Sequence, residues 1–200
     1  MFITFEGIDL SGKSTQARLL LDHLTGNNKK AILVREPGGT PISEKIRDIL
    51  LDKTNEKMTY PAEFLLFSAS RNQLTEEVIK PHLAKDYVVI CDRYFDSSTA
   101  YQGYGGDIDI AHIEAVNKIA SGGLDPEITF FINISAEESF KRKSVRNQDE
   151  DRIEQKKIEY YNKVVNGYFE IASKNKRFKI IDGTKKIEDI QAEILTILKM

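Results

Sequence analysis

The stretch Phe2-Ile3-Thr4-Phe5-Glu6-Gly7-Ile8-Asp9-Leu10-Ser11-Gly12-Lys13-Ser14-Thr15 decides the fold. Its first five residues read as a buried strand, residues 7–14 spell G-x-x-x-x-G-K-[ST], and Thr15 to Leu24 has helical spacing. In that context glycine lets the backbone curl until successive N–H groups point inward at phosphate oxygens. The helix N-terminus adds partial positive charge, Lys13 reaches terminal phosphates, and the Ser14 hydroxyl can sit on Mg²⁺. The plainer alternative is a glycine turn before a helix. The flanking strand and helix favour a phosphate-binding loop over it.

Outward from this loop, apolar strand-like runs recur at residues 2–6, 31–35, 87–91, 128–134 and 178–182, separated by segments of helical periodicity. This alternation predicts an α/β fold of the P-loop NTPase kind, a three-layer sandwich whose five-stranded parallel sheet carries helices on both faces. Residues 1–200 are expected to form one domain, with no repeat or interdomain linker. The mixed-charge run from Lys141 to Lys157 reads most plainly as a solvated helix face. Its position also leaves room for a mobile lid over about 142–151.

Bulk properties narrow the function classes. A formal net charge of −2 gives no global basic field for nucleic acid, and the run Lys174-Asn175-Lys176-Arg177 is short enough to be a solvated helix end. One cysteine, Cys91, in the apolar run 87–91, excludes an intrachain disulfide, fits a reducing cytoplasm, and reads as a packed core thiol. Neither a signal peptide nor a membrane span is expected. His23, His82 and His112 are scattered without metal-ligand spacing.

Ligands of such sheets bind beyond the carboxyl ends of the strands. The second run ends in Arg35-Glu36-Pro37-Gly38-Gly39-Thr40-Pro41, a turn whose backbone can approach a ligand or merely introduce the helix 43–51. The third is followed by Asp92-Arg93-Tyr94, where Asp92 is a candidate Mg²⁺-organising carboxylate and Arg93 a phosphate fork. Phe67 and Arg71 share a helix face at i, i+4, able to stack a base and hold its phosphate, although Phe67 alone reads as core. The stretch Asp96-Ser97-Ser98-Thr99-Ala100-Tyr101-Gln102-Gly103-Tyr104-Gly105-Gly106 has the hydroxyls and amide that a base edge and sugar need, yet also suits an ordinary loop.

In combination these pieces, with Asp151-Arg152-Ile153-Glu154, resemble the thymidylate kinase family from Phe2 through Ala172, in its order and spacing. The resemblance implies ATP and dTMP as substrates, Mg²⁺ as cofactor, and a homodimer, for which the amphipathic stretches 43–51 and 62–83 offer apolar faces. It implies that residues Gly7, Ile8, Asp9, Leu10, Ser11, Gly12, Lys13, Ser14 and Thr15 hold ATP, and that Ser14 and Asp92 serve the metal. Glu36 and Pro37 would line the acceptor site, and Phe67 would stack on thymine. Arg71 would contact the base or the acceptor phosphate, Arg93 would grip that phosphate, and Ser98 and Gln102 would contact the base. Tyr101 would crowd a 2′-hydroxyl, and Asp9 would touch the sugar or phosphate of the monophosphate. Where lid-type members usually show a small residue this loop has Leu10. With no arginine in the loop, the lid must supply the catalytic cation. Arg146 is the first choice over Arg142 and Arg152, with Lys13, Arg93 and Asp9 as the other catalytic groups, although the lid lacks the usual glycine. Two rivals remain: a kinase of another nucleoside monophosphate, dUMP included, or of a deoxynucleoside, and a GTP switch. For the switch, Asn117-Lys118-Ile119-Ala120 lacks the needed aspartate and falls on a helix-like segment.

Overall fold

Strand residues alternate sides, and here both sides are buried. In a computed structural model that describes residues 1–145 and 151–200, β1 (Phe2–Glu6), β2 (Ala31–Arg35), β3 (Val88–Asp92), β4 (Ile128–Asn133) and β5 (Phe178–Asp182) form a parallel sheet. The strand order is β2-β3-β1-β4-β5. Ile3, Phe5, Ile90, Phe130 and Ile132 face α1 (Lys13–Gly26) and α9 (Ile187–Leu198), packing on Ala17, Leu20, Leu24, Ile190 and Ile194. Residues one step along the strands point the other way. Phe131 meets Val164, Tyr168 and Ile171 of α8 (Ile158–Lys174), while Phe2, Val89 and Cys91 meet Leu74 and Ile79. Cys91 is a fully buried free thiol, as its apolar neighbours suggested.

The expected strands stand within a residue of those observed. The third is shifted by one, so that Asp92 ends β3 instead of following it. Register aligns Phe5 with Asp92 and Arg35 with Asp92, which places Glu6, Arg35 and Asp92 along one carboxyl edge. Helices α2 (Pro41–Leu51) and α3 (Tyr60–Leu74) begin alike: Thr40 and Thr59 accept hydrogen bonds from the Ser43 and Ala62 amides, and Pro sits in the first turn of each. The long helical segment expected over 62–83 is α3, a π-helical stretch Thr75–Ile79, and the short α4 (Lys80–Leu83).

Two expectations need correction. Residues 96–105 are not a loop: α5 (Phe95–Ser98) runs directly into a π-helical stretch, Thr99–Gly105. Its glycines serve packing, since a Cβ on Gly105 would stand 2.8–3.0 Å from the Tyr160 ring and Val164 of α8. Arg177 is not a solvated helix end either, because its guanidinium forks onto Asp96 with both N···O distances 2.7 Å. The segment Asn117–Ala120 closes helix α6 (Ile110–Ala120), and Asn117 is buried there among side chains. Helix α7 (Ala136–Val145) carries the start of the expected lid.

Candidate active site

The phosphate loop leaves β1 through Gly7, whose φ of 140° suits glycine. A Cβ there would stand 2.5 Å from the Ile132 carbonyl, so neighbouring β4 also excludes a side chain. Helix α1 starts at Gly12 and, among the described residues, no side chain caps it and no acidic residue occupies its first turn. Its first amides therefore remain available to an anion, unlike those of α2, α3 and α6, which their own Thr40, Thr59 and Asp109 side chains satisfy. Leu10 has φ 62°, a left-handed conformation that costs a branched side chain about 1–2 kcal/mol.

Asp9 is the hub of the loop. Its Oδ1 accepts from Arg93 Nη2 at 2.5 Å and lies 4.0 Å from Lys13 Nζ. Its Oδ2 accepts from the Tyr161 hydroxyl at 2.9 Å and the Tyr101 hydroxyl at 3.3 Å. Burial works against this carboxylate, but Arg93 and Lys13 outweigh it and hold its pKa at about 2. Arg93, itself at φ 70°, also donates to the Gly7 carbonyl at 2.9 Å and to Ser97 Oγ at 3.2 Å. Burial, and the Arg93 charge beside it, lower the pKa of Lys13. Behind Arg93, Glu6 accepts from Ser97 Oγ at 2.5 Å, the Tyr168 hydroxyl at 2.9 Å and the Tyr94 amide at 2.8 Å. Burial and the nearby Asp96 raise Glu6 to about 7.

Ser14 donates to Asp92 Oδ2, while Asp92 Oδ1 is buried with no hydrogen-bond partner among the described residues. A hydroxyl against a carboxylate with one unsatisfied oxygen is a donor set suited to a hard divalent cation beside a phosphate.

Beyond the loop lies a cleft lined by Asp9, Glu36, Pro37, Phe67, Arg71, Arg93, Ser98, Tyr101 and Gln102. Every residue expected from the sequence to hold the acceptor thus lies on one wall set. Arg71 is the surprise among them. It is 1% exposed and anchored by Glu36 Oε2 at 2.8 Å, Asn117 Oδ1 at 2.9 Å and Ser98 Oγ at 2.9 Å. Glu36 Oε1 is buried with no hydrogen-bond partner among the described residues, and burial raises this carboxyl to about 7 against the pull of Arg71.

The lid candidates divide. Arg142 is held by the Leu10 carbonyl at 3.1 Å, the Gly183 carbonyl at 2.9 Å and Glu138 at 2.8 Å. Arg152 is buried, 2.7 Å from Glu63 Oε2, and donates to the Leu50 carbonyl at 2.8 Å. Arg146 lies outside the described residues. Sequence reasoning missed three side chains. Arg47, whose Nη1 reaches the Pro37 carbonyl at 3.0 Å, lines the cleft, and an arginine on an amphipathic helix gave no signal of it. Tyr161 and Glu63 offered none, because a tyrosine in an amphipathic helix and a glutamate in a first turn both have ordinary explanations.

An uncapped phosphate loop facing a cleft of arginines and aromatic rings, at the carboxyl edge of a parallel sheet, defines a P-loop kinase. Comparison with known proteins narrows the class. The thymidylate kinase family model matches residues 5–194. A thymidylate kinase of Sulfurihydrogenibium sp. (strain YO3AOP1) is 47% identical over 199 residues, which cover 99% of this chain and 96% of that one. One of Thermosipho africanus (strain TCF52B) is 45% identical over 199 residues, 100% of this chain and 98% of that one. The crystal structure of thymidylate kinase from Ehrlichia chaffeensis matches with TM-score 0.80 at 35% identity, covering 100% of this chain and 98% of that one. The chain belongs to the thymidylate kinase family.

Proposed function

We propose that this chain transfers the γ-phosphoryl group of Mg·ATP to the 5′-phosphate of dTMP, giving dTDP and ADP in dTTP biosynthesis. The observation that carries the assignment is the meeting of an anion-ready loop with a separate arginine-walled cleft across Asp9 and Arg93. Two polyanions can be brought end to end there. The acceptor phosphate is already anionic at neutral pH, so positioning and charge neutralisation are the whole task. At about 4 Å two unit charges repel by roughly 4 kcal/mol at an effective dielectric of 20. Lys13 and Arg93 offset that repulsion from either side of the transfer.

In this assignment the amides of 7–15 cradle the donor phosphates. Phe67 stacks on thymine, Ser98 and Gln102 meet its edge, Arg71 holds Ser98 in place, and Tyr101 flanks the sugar. Glu36 and Pro37 form the wall behind Arg71. Ser14 and Asp92 fit Mg²⁺, which when bound neutralises phosphate charge. The lid cation is assigned to Arg146, since Arg142 and Arg152 are committed to other partners.

The chain is taken as one domain with a lid over about 142–151. Exposed Ile42 and Ile49 on α2, Leu65 on α3 and Ile119 on α6 support a homodimer. Among the described residues no helix is long and apolar enough to cross a membrane, and a cytoplasmic setting is proposed. The deciding experiment measures ADP release with dTMP, dUMP, dCMP and AMP. dTMP should give the highest kcat/KM, with dUMP within the 10–200-fold that one methyl can command. A higher value for AMP or dCMP would overturn the assignment.

A further inference from the structure

Outside the groups that touch substrate, one buried cluster joins the base-reading wall to the far end of the lid. Glu63, in the first turn of α3, is 1% exposed. Its Oε2 lies 2.7 Å from Arg152 Nη2, and its Oε1 accepts from Gln102 Nε2 at 2.8 Å. Gln102 and Arg152 are themselves buried. Arg152 donates in turn to the Leu50 carbonyl at 2.8 Å, which ties the cluster to the end of α2.

The chemistry of the three groups leaves one arrangement. A carboxylate paired with a guanidinium can only accept hydrogen bonds. The Gln102 side chain, whose two ends are almost the same shape, must therefore turn its NH₂ toward Glu63. Its Oε1 is left as an acceptor, and no described residue donates to it. Gln102 lines the same cleft as Phe67, so a base stacked on that ring brings its edge to this oxygen.

Resting on the proposed acceptor, we infer that Glu63 is a specificity-positioning residue. By fixing the Gln102 amide, it makes the site accept a pyrimidine whose N3 carries a hydrogen and reject one whose N3 is a bare acceptor. Thymine and uracil are of the first kind, cytosine of the second. With cytosine, two acceptors would face each other in a buried site, each without its hydrogen bond. The methyl of thymine plays no part in this choice, so Glu63 separates dTMP and dUMP from dCMP and does not separate dTMP from dUMP.

The test compares three proteins on dTMP, dUMP and dCMP by steady-state phosphoryl transfer. Glu63→Gln can both donate and accept, so it releases the Gln102 amide to turn over. The dCMP-to-dTMP ratio of kcat/KM should rise by about tenfold or more, chiefly through a lower KM for dCMP, while the dUMP-to-dTMP ratio stays within twofold. Arg152→Lys loosens the same ion pair but keeps a cation beside Glu63, so the carboxylate stays ionised and can only accept. It should lower the melting temperature, because an ammonium cannot reproduce the fork to Glu63 and the Leu50 carbonyl, yet leave the dCMP-to-dTMP ratio within twofold of the parent. If Glu63→Gln does not fold, the double variant Glu63→Met/Arg152→Met removes the carboxylate without an unpaired charge and should show the same rise. An unchanged ratio on loss of the Glu63 carboxylate, or an equal rise in Arg152→Lys, would overturn the inference while leaving the dTMP assignment standing. A parent enzyme that turns over no dTMP would overturn both.

Discussion

Arg93 carries the heaviest load of any single side chain. Its guanidinium is held by Asp9, the Gly7 carbonyl, Ser97 and Tyr101, and its backbone sits at φ 70°. A non-glycine residue persists in that conformation only when its surroundings over-determine it. Here they do so twice, through the planar fork in front and through Glu6 acting on Ser97 behind. Lysine cannot reproduce the fork, because a point charge on a flexible stem cannot engage Asp9 and Gly7 together. Arg93→Lys should therefore lower kcat/KM for dTMP by roughly 10²-fold or more, with Arg93→Ala lower still. Retention of most of the activity in a coupled ADP-release assay would remove Arg93 from the assigned role. Much at this scale was legible in the sequence, because loop glycines, Lys13, Ser14, Asp92 and Arg93 all stand at a strand end where the topology makes the site. The partners of Arg71 were not legible. Its contacts to Glu36, Asn117 and Ser98 join residues 35, 46 and 27 positions apart, and no local pattern encodes such distances.

At the scale of elements, near-continuous apolar runs located the strands because a sheet buried on both faces must be written that way. Local composition misled over residues 96–105, where glycine density suggested a loop. Those glycines belong to a helical segment pressed against α8, and the reason lies on the other helix as much as on this one. Gly167 of α8 shows it from the opposite side: a Cβ there would stand 2.7 Å from Tyr104 Cβ and 2.8 Å from two ring carbons of the same residue. The contact is between a Cβ position and the root of a side chain, so rotamer change cannot relieve it. Gly167→Ala should destabilise the fold by about 1–3 kcal/mol. Differential scanning calorimetry should read this as a melting temperature lower by several degrees. Because α8 also carries Tyr161 to Asp9 and Tyr168 to Glu6, the shift of α8 should weaken dTMP turnover in step with stability. An unaltered melting temperature would show that the two segments separate more readily than their packing indicates.

Across the whole molecule, the carboxyl edge of the sheet concentrates buried carboxylates and the cations that hold them. Asp9 answers Arg93 and Lys13, and Glu36 answers Arg71. A site for two polyanions needs cations, and fixed carboxylates hold those cations in place before any nucleotide arrives. The arrangement makes stability depend on pH in opposite senses. Asp9, depressed to about 2, contributes stability present above the ordinary aspartate pKa and lost only as pH falls through about 2. Glu6 and Glu36, raised to about 7 chiefly by burial, bind their protons more tightly when folded than unfolded. Their contribution is full below the ordinary glutamate value of 4.5 and disappears as pH rises through about 7. The melting temperature of the parent should thus fall across the interval from 4.5 to about 7 by more than that of Glu36→Gln, which cannot titrate. The gap between the two curves should widen in favour of the variant as pH climbs, whatever offset the changed hydrogen bond to Arg71 sets at low pH. Melting curves recorded on both proteins at several pH values measure that slope directly. Parallel curves would mean that Arg71 keeps Glu36 ionised throughout, and that the pair, not burial, governs the acceptor wall.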